Sequence, residues 1–225
     1  SFRTQGCTQT CGAVVTPISL ATTFVQEEPG VHRGYEYSRT NNPTRQALQE
    51  CLASLEGAAH GLAFASGMSA EDTLLRTLSP GDHIVLGNDA YGGTFRLISA
   101  VLAPMGFAWT ATDLTDPEAL RAAMRPETKV VWAETPTNPL LTVVDIAAIA
   151  EIVHEGDARL VVDNTFATPY LQQPLSHGAD VVGKEAATNA AASRNLFAVS
   201  ARARPARRRR PLTSPRWSAA SSRST

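Results

Sequence analysis

Apolar positions along this chain recur at two spacings, and the way these alternate predicts its architecture. Behind Pro43, the segment TRQALQECLASLEG places Ala47, Leu48, Cys51, Leu52 and Leu55 on one face at three- and four-residue spacing, the mark of an amphipathic helix. Asn42 is an N-cap for it, Pro43 suits a first helical position, and Gly57 ends it. Beyond it, short apolar runs at 62–65, 84–86, 107–110, 129–133, 160–162 and 179–182 read as strands. Between them, 70–78, 94–102, a segment capped by Asp116 with Pro117 at its start, and 146–153 read as helices. The run RLVVD, β-branched and then acidic, has the pattern of a strand buried on both faces. Strands alternating with helices require right-handed crossovers, so the expected fold is α/β, a mainly parallel sheet flanked by helices. No internal repeat is visible.

The first 42 residues lack such periodicity. Thr16-Pro17-Ile18 and Ala21-Thr22-Thr23-Phe24 suit an extended arm, Glu27-Glu28-Pro29-Gly30 a turn, and GYEYSRTNN an exposed loop or an arm laid on a partner. A length of 225 residues with 43% hydrophobic content allows a sizeable core. No apolar run approaches the roughly 18 residues of a membrane span, and no signal-peptide pattern opens the sequence, so no membrane partner and a cytoplasmic location are expected. Cys7, Cys11 and Cys51 form no disulfide framework, and Cys7 and Cys11 lack the further ligands a metal site needs, so free thiols and no metal are expected. The net charge of -1 conceals a split. Residues 1–182 hold 10 Lys or Arg against 20 Asp or Glu, whereas 183–225 hold 10 basic residues against Glu185 alone. A compositional boundary is therefore placed after Val182.

Ligands of open parallel sheets lie beyond the carboxyl ends of the strands, where Asp163 ends its run. Ser66-Gly67-Met68, between a strand and a helix, would turn backbone N–H groups and a positive helix end towards a phosphate; by itself it is also an ordinary turn. Tyr91-Gly92-Gly93-Thr94 follows the next strand, where a tyrosine can stack on a planar ring or simply cap a surface turn. Glu134-Thr135-Pro136-Thr137-Asn138-Pro139 follows another strand, either a rigid loop offering the Asn138 amide or a plain proline-punctuated connection. All these segments fall at one edge of one sheet.

In order, TPISLATTF, YEYSRTNNPTR, ASGMSA, DAYGGT, ETPTNP and VVDNTFATP resemble the Cys/Met-metabolism (transsulfuration) enzymes that depend on pyridoxal 5'-phosphate (PLP), a fold-type I group that includes cystathionine γ-synthase and cystathionine γ-lyase. The resemblance runs to about Val182. It implies a PLP-dependent transferase large domain over 46–182, incomplete here, with an N-terminal arm at 1–45 that contributes to a neighbouring active site and the C-terminal domain absent. Gly67 and Met68 would then donate backbone N–H groups to the cofactor phosphate, with Tyr37 and Arg39 reaching it from a neighbouring subunit. Tyr91 would stack on the ring and act catalytically in proton traffic. Asn138 would lie near the ring oxygen, Asp163 would pair with the pyridinium nitrogen, and Thr188 would join the cofactor-binding set. Glu134 belongs to the motif without an assigned contact. The implied chemistry is γ-replacement or γ-elimination on O-acyl-homoserine or cystathionine, with cysteine as co-substrate. A methionine γ-lyase or O-acetylhomoserine sulfhydrylase type is the alternative. A homo-oligomer, a dimer of dimers, is implied as well.

The resemblance also implies a lysine about 25 residues past the aspartate, behind Ser-x-Thr, that links covalently to the cofactor. The chain has two lysines, Lys129 and Lys184. Lys129 begins a strand, and Lys184 comes too early and without the preceding motif. Matching Ala187-Thr188 to the expected Ala-Thr leaves Asn189 in the lysine's place. The Arg-rich sequence beyond, with Arg207 to Arg210 at its centre, departs from the family's pattern and is expected to be a disordered tail from a shifted frame or truncation. Without an aromatic platform it is not expected to bind nucleic acid. A catalytically dead remnant is thus the competing reading of the chain.

Overall fold

A computed structural model describes residues 14–186 and 196–201. In chain order it contains a small hairpin, β1 (Gln26–Glu28) and β2 (Val31–His32), then α1 (Pro43–Glu56), β3 (His60–Phe64), α2 (Gly67–Leu75), β4 (His83–Gly87) and α3 (Gly92–Arg96). β5 (Ala108–Thr112), α4 (Pro117–Ala123), β6 (Thr128–Glu134), α5 (Ile146–Glu155), β7 (Arg159–Asp163), β8 (Val181–Ala186) and β9 (Leu196–Ala201) complete it. Seven strands form one sheet in the order β3-β9-β8-β7-β6-β4-β5. The run β8-β7-β6-β4-β5 is parallel, whereas β9 is antiparallel to both β3 and β8, so β3 points the same way as the parallel strands. The α/β expectation holds. Among the described residues no helix is long and apolar enough to cross a membrane.

Side-chain alternation along the strands divides the core in two. Val85, Val131, Ala133, Leu160, Val162 and Val182 pack on one face against Leu120 of α4 and Ile149 and Val153 of α5. Ile84, Leu86, Val130, Trp132, Val161 and Val181 pack on the other, against Leu75 of α2 and Ile98 and Leu102 beyond α3. With an apolar side chain on nearly every position, the central strands need a helix layer on each face.

Local chemistry explains where elements start. Asn42 accepts from the Thr44 N–H at 2.9 Å, capping α1. α2 begins earlier than its apolar pattern suggests because Ser66 and Ser69 exchange capping hydrogen bonds, Ser69 N–H to Ser66 Oγ at 3.2 Å and Ser66 N–H to Ser69 Oγ at 3.3 Å. The helix expected over 94–102 divides into α3 and a π-helical segment, Leu97–Leu102.

Three expectations need correction. The boundary after Val182 falls inside β8, and Leu196–Ala201, assigned to a disordered tail, is a strand within the sheet. The arm boundary at residue 45 lies inside the first turn of α1. On α1, the buried positions are Ala53 and Glu56, while Leu55, placed on the apolar face, is exposed. β3 packs on the Gln49 and Ala53 side of α1: Gly61 lets its backbone approach so closely that a β-carbon would stand 2.5 Å from the Gln49 carbonyl oxygen. Cys7, Cys11, Thr188, Asn189 and Arg207 to Arg210 lie outside the described residues.

Candidate active site

At the carboxyl end of the parallel strands lies a cavity of about 330 Å³ lined by Ser66, Gly67, Met68, Glu71, Tyr91, Glu134, Asn138, Asp163, Thr165 and Phe166. Topology brings these together. β3, β4, β6 and β7 all point at this edge, and the segment after each supplies part of the lining. Asp163 and Glu134 are register partners at the last residues of β7 and β6. By strand alternation they follow Val161 and Trp132 onto the same face, so two carboxylates stand side by side.

Each acid is held differently. Asp163 is 5% exposed, and its Oδ1 accepts from the Thr165 N–H at 3.0 Å and the Thr165 hydroxyl at 2.6 Å. Glu134 Oε2 accepts from the Tyr91 N–H at 2.5 Å, and Oε1 from the Asn138 N–H at 2.9 Å. Burial, assisted by the Asp163 and Glu71 charges and opposed by those two amides, pushes the Glu134 carboxyl up to about 7. Glu71 accepts from the Thr94 hydroxyl at 2.8 Å; burial first, with Asp163 adding, likewise raises it to about 7.

Of the residues expected to bind a cofactor, Gly67, Met68, Tyr91, Asn138 and Asp163 border this one cavity. Gly67 and Met68 open α2, and neither N–H donates to a protein acceptor among the described residues, because Ser66 serves Ser69 and Ala70. Two donors and a helix N-terminus at one wall, an acid at another and a tyrosine at the mouth fit a planar phosphorylated ring with a basic nitrogen. At Gly93 a β-carbon would lie 2.3 Å from the Tyr91 ring and 2.9 Å from the Met68 sulfur, so the glycine leaves room for both. Tyr37 and Arg39 do not border the cavity; the Arg39 guanidinium lies 5.2 Å from the centre of the Tyr37 ring on the arm.

Neither lysine of the chain borders the cavity. Lys129 pairs with Asp157 at 3.7 Å at the opposite end of its strand. Lys184 follows Val182 onto the face opposite Asp163, and its ammonium donates to Asn164 Oδ1 and, at 2.9 Å, to the Ala167 carbonyl. It also pairs with Glu56 Oε1 at 3.3 Å.

Sequence reasoning gave Glu71, Thr165 and Phe166 no place in the site and Glu134 no contact. Glu134 was discernible, because VVWAE ends in an acid as RLVVD does, and adjacent strands ending alike place both acids together. Glu71 stands four residues after Gly67, one turn along the same helix face.

A family model described as "Cys/Met metabolism PLP-dependent enzyme" matches residues 3–189. The chain is 53% identical over 171 residues to a protein of Herpetosiphon aurantiacus named "Probable cystathionine gamma-synthase", covering 76% of this chain and 54% of the relative. It is 51% identical to the cystathionine beta-lyase of Coxiella burnetii over 172 residues, 76% of this chain and 44% of the relative. The crystal structure of cystathionine gamma-lyase from Lactobacillus plantarum, complexed with L-serine, superposes with a TM-score of 0.83 at 47% identity, covering 87% of this chain and 51% of that one. The chain thus spans about half the length of the relatives it matches.

Proposed function

The chain belongs to the Cys/Met-metabolism PLP-dependent enzymes, and from that premise we propose that its cavity is the cofactor-binding part of a transsulfuration site acting at the γ-carbon of cystathionine or an O-acyl-homoserine. The observation that carries the reading is the meeting of Gly67, Met68, Tyr91, Asn138 and Asp163 around one cavity. When bound, PLP supplies an electron sink for negative charge at the substrate Cα. The chain's residues bind and orient. The Gly67 and Met68 N–H groups would donate to the phosphate at the positive end of α2. The Asp163 carboxylate, fixed by Thr165, would hold a proton on the ring nitrogen. Tyr91 would cover one ring face, with its hydroxyl near the substrate to carry protons, and the Asn138 amide would meet the ring oxygen. Tyr37 and Arg39 would complete the phosphate site of a second copy in a homo-oligomer.

With neither lysine at the cavity, the cofactor would be held without a covalent bond. That favours a second reading, a cofactor-binding module without turnover. Equilibrium dialysis with PLP should give one reversible site per chain, weakened about tenfold or more by Asp163→Asn, which exchanges a charge-assisted hydrogen bond for a neutral one. Absence of binding would sink the cofactor reading, and borohydride-fixed label on Lys184 would sink the non-covalent one. Reaction class is read in the Asn189→Lys chain given cystathionine. 2-Oxobutanoate is expected of γ-elimination, pyruvate would assign the site to β-elimination, and no carbonyl product would leave the module reading standing.

A further inference from the structure

Tyr91 and Asn138 reach the cavity from different loops, one after β4 and one after β6, yet a single side chain holds both backbones. Glu134 is 7% exposed, and each of its oxygens accepts one of the two amides, Tyr91 N–H at 2.5 Å and Asn138 N–H at 2.9 Å. We propose that Glu134 is a positioning residue, a clamp whose ionised carboxylate sets where the Tyr91 ring and the Asn138 amide stand in the cavity, and whose protonation opens the clamp by taking the acceptor from one of the two amides. The role assigned to those two residues rests on the cofactor reading above; the clamp itself does not.

An ionised carboxylate offers each amide a charge-assisted bond, whereas a protonated carboxyl turns one oxygen into a hydroxyl that must itself donate. The groups that face Glu134 are acidic. Asp163 of β7 and Glu71 of α2 share the main cavity, and Asp89 and Asp113 border a smaller cavity that Glu134 also lines. Asp89 accepts from the Thr137 hydroxyl, and Asp113 Oδ1 from the Thr115 hydroxyl at 2.7 Å. Among the described residues, no Lys, Arg or His borders either cavity. Burial, with the Asp163 and Glu71 charges adding to it, brings the Glu134 carboxyl up to about 7, so the clamp would respond near neutral pH. Burial also raises the Glu71 carboxyl to about 7, and its charge adds last to the shift at Glu134.

The test is amide hydrogen exchange in the cofactor-free chain, expressed as protection factors so that the intrinsic pH dependence is removed. Glu134→Gln, which keeps one good acceptor, should lower protection at Tyr91 or Asn138 about tenfold or more while leaving Val153 in α5 unchanged. In the unsubstituted chain, protection at Tyr91 or Asn138, whichever amide faces the oxygen that takes the proton, should fall as pH drops through about 7. That series decides the matter even if the variant fails to fold. In parallel, PLP affinity is measured across the same pH range for both chains. Ionisation of the cofactor is common to the two, so the ratio of their affinities should shrink on the acid side. Unchanged protection in a folded Glu134→Gln chain would overturn the clamp, as would pH-invariant protection at Tyr91 and Asn138 in the unsubstituted chain. If the unsubstituted chain binds no PLP, the cofactor reading fails while the exchange measurement still decides the clamp.

Discussion

Lys184 carries its charge inside the protein, its side chain 10% exposed against 4% for Glu56. Burial pulls its pKa below the ordinary lysine value and the Glu56 charge pulls back, while burial pushes Glu56 up. Such a pair contributes little net stability, but either member alone is a buried, unmatched charge. Lys184→Met should therefore cost about 3–5 kcal/mol in urea unfolding, and Lys184→Met with Glu56→Leu distinctly less. Equal losses in the single and double variants would show the two groups to be uncoupled. Glu71 and Glu134 predict a pH effect of their own. Both have folded pKa values raised from 4.5 to about 7, so the folded state binds protons more tightly than the unfolded chain. Their contribution is thus greatest below about 4.5 and declines as pH rises to about 7, where it levels off. Unfolding at pH 5 and 7.5 should show the acid-side gain shrink in Glu71→Gln. A gain of the same size in that variant would assign the effect elsewhere. It is compatible with a tighter clamp at high pH, because desolvation governs global stability while the amides respond to the local charge.

At the scale of elements, what could be read in advance depended on whether the information was local. β4, β6 and β7 were legible because apolar residues on both faces leave few alternatives. The start of α2 was not, since Ser66 and Ser69 cap it before its apolar face begins. The π-helical Leu97–Leu102 was missed because six residues are too few to separate its period from that of an α-helix. β9 lay in a stretch judged by its arginines, yet its place between β3 and β8 depends on pairing partners far away in sequence. The candidate site was more legible than the packing, because its glycines, acid and tyrosine sit in short motifs at strand ends. The Glu134–Tyr91 contact was hidden because it joins residues 43 positions apart. Gly61 tests the α1–β3 packing. Its missing β-carbon would meet backbone, the Gln49 carbonyl at 2.5 Å, which cannot rotate away as a side chain can. Gly61→Ala should cost about 1–3 kcal/mol, the usual range for overpacking. A variant as stable as the parent in urea would mean that α1 is free to shift outward.

For the whole molecule, the distribution of apolar surface sets the terms. Along the arm Val14, Val15, Ile18, Leu20 and Val25 are exposed, Val14 at 100% and Leu20 at 87%. Tyr170 and Leu171, after β7, are exposed as well. Scattered apolar residues are normal on a protein surface, but so many on one extended segment of little regular structure favour a partner surface or aggregation. The arm also carries Tyr37 and Arg39, whose distance from the chain's own cavity is accounted for if they serve a second copy. Sedimentation at micromolar concentration should therefore show self-association. Replacing Ile18, Leu20 and Val25 with Ser should reduce it without lowering the thermal midpoint, because these side chains contribute little to the folded core of a single chain. If the arm serves the neighbour's cofactor, the same variant should also bind PLP more weakly at concentrations where the parent is associated, and equally well where both are dissociated. A monodisperse monomer that binds PLP with concentration-independent affinity would exclude that role for the arm and leave the cavity of one chain to act alone.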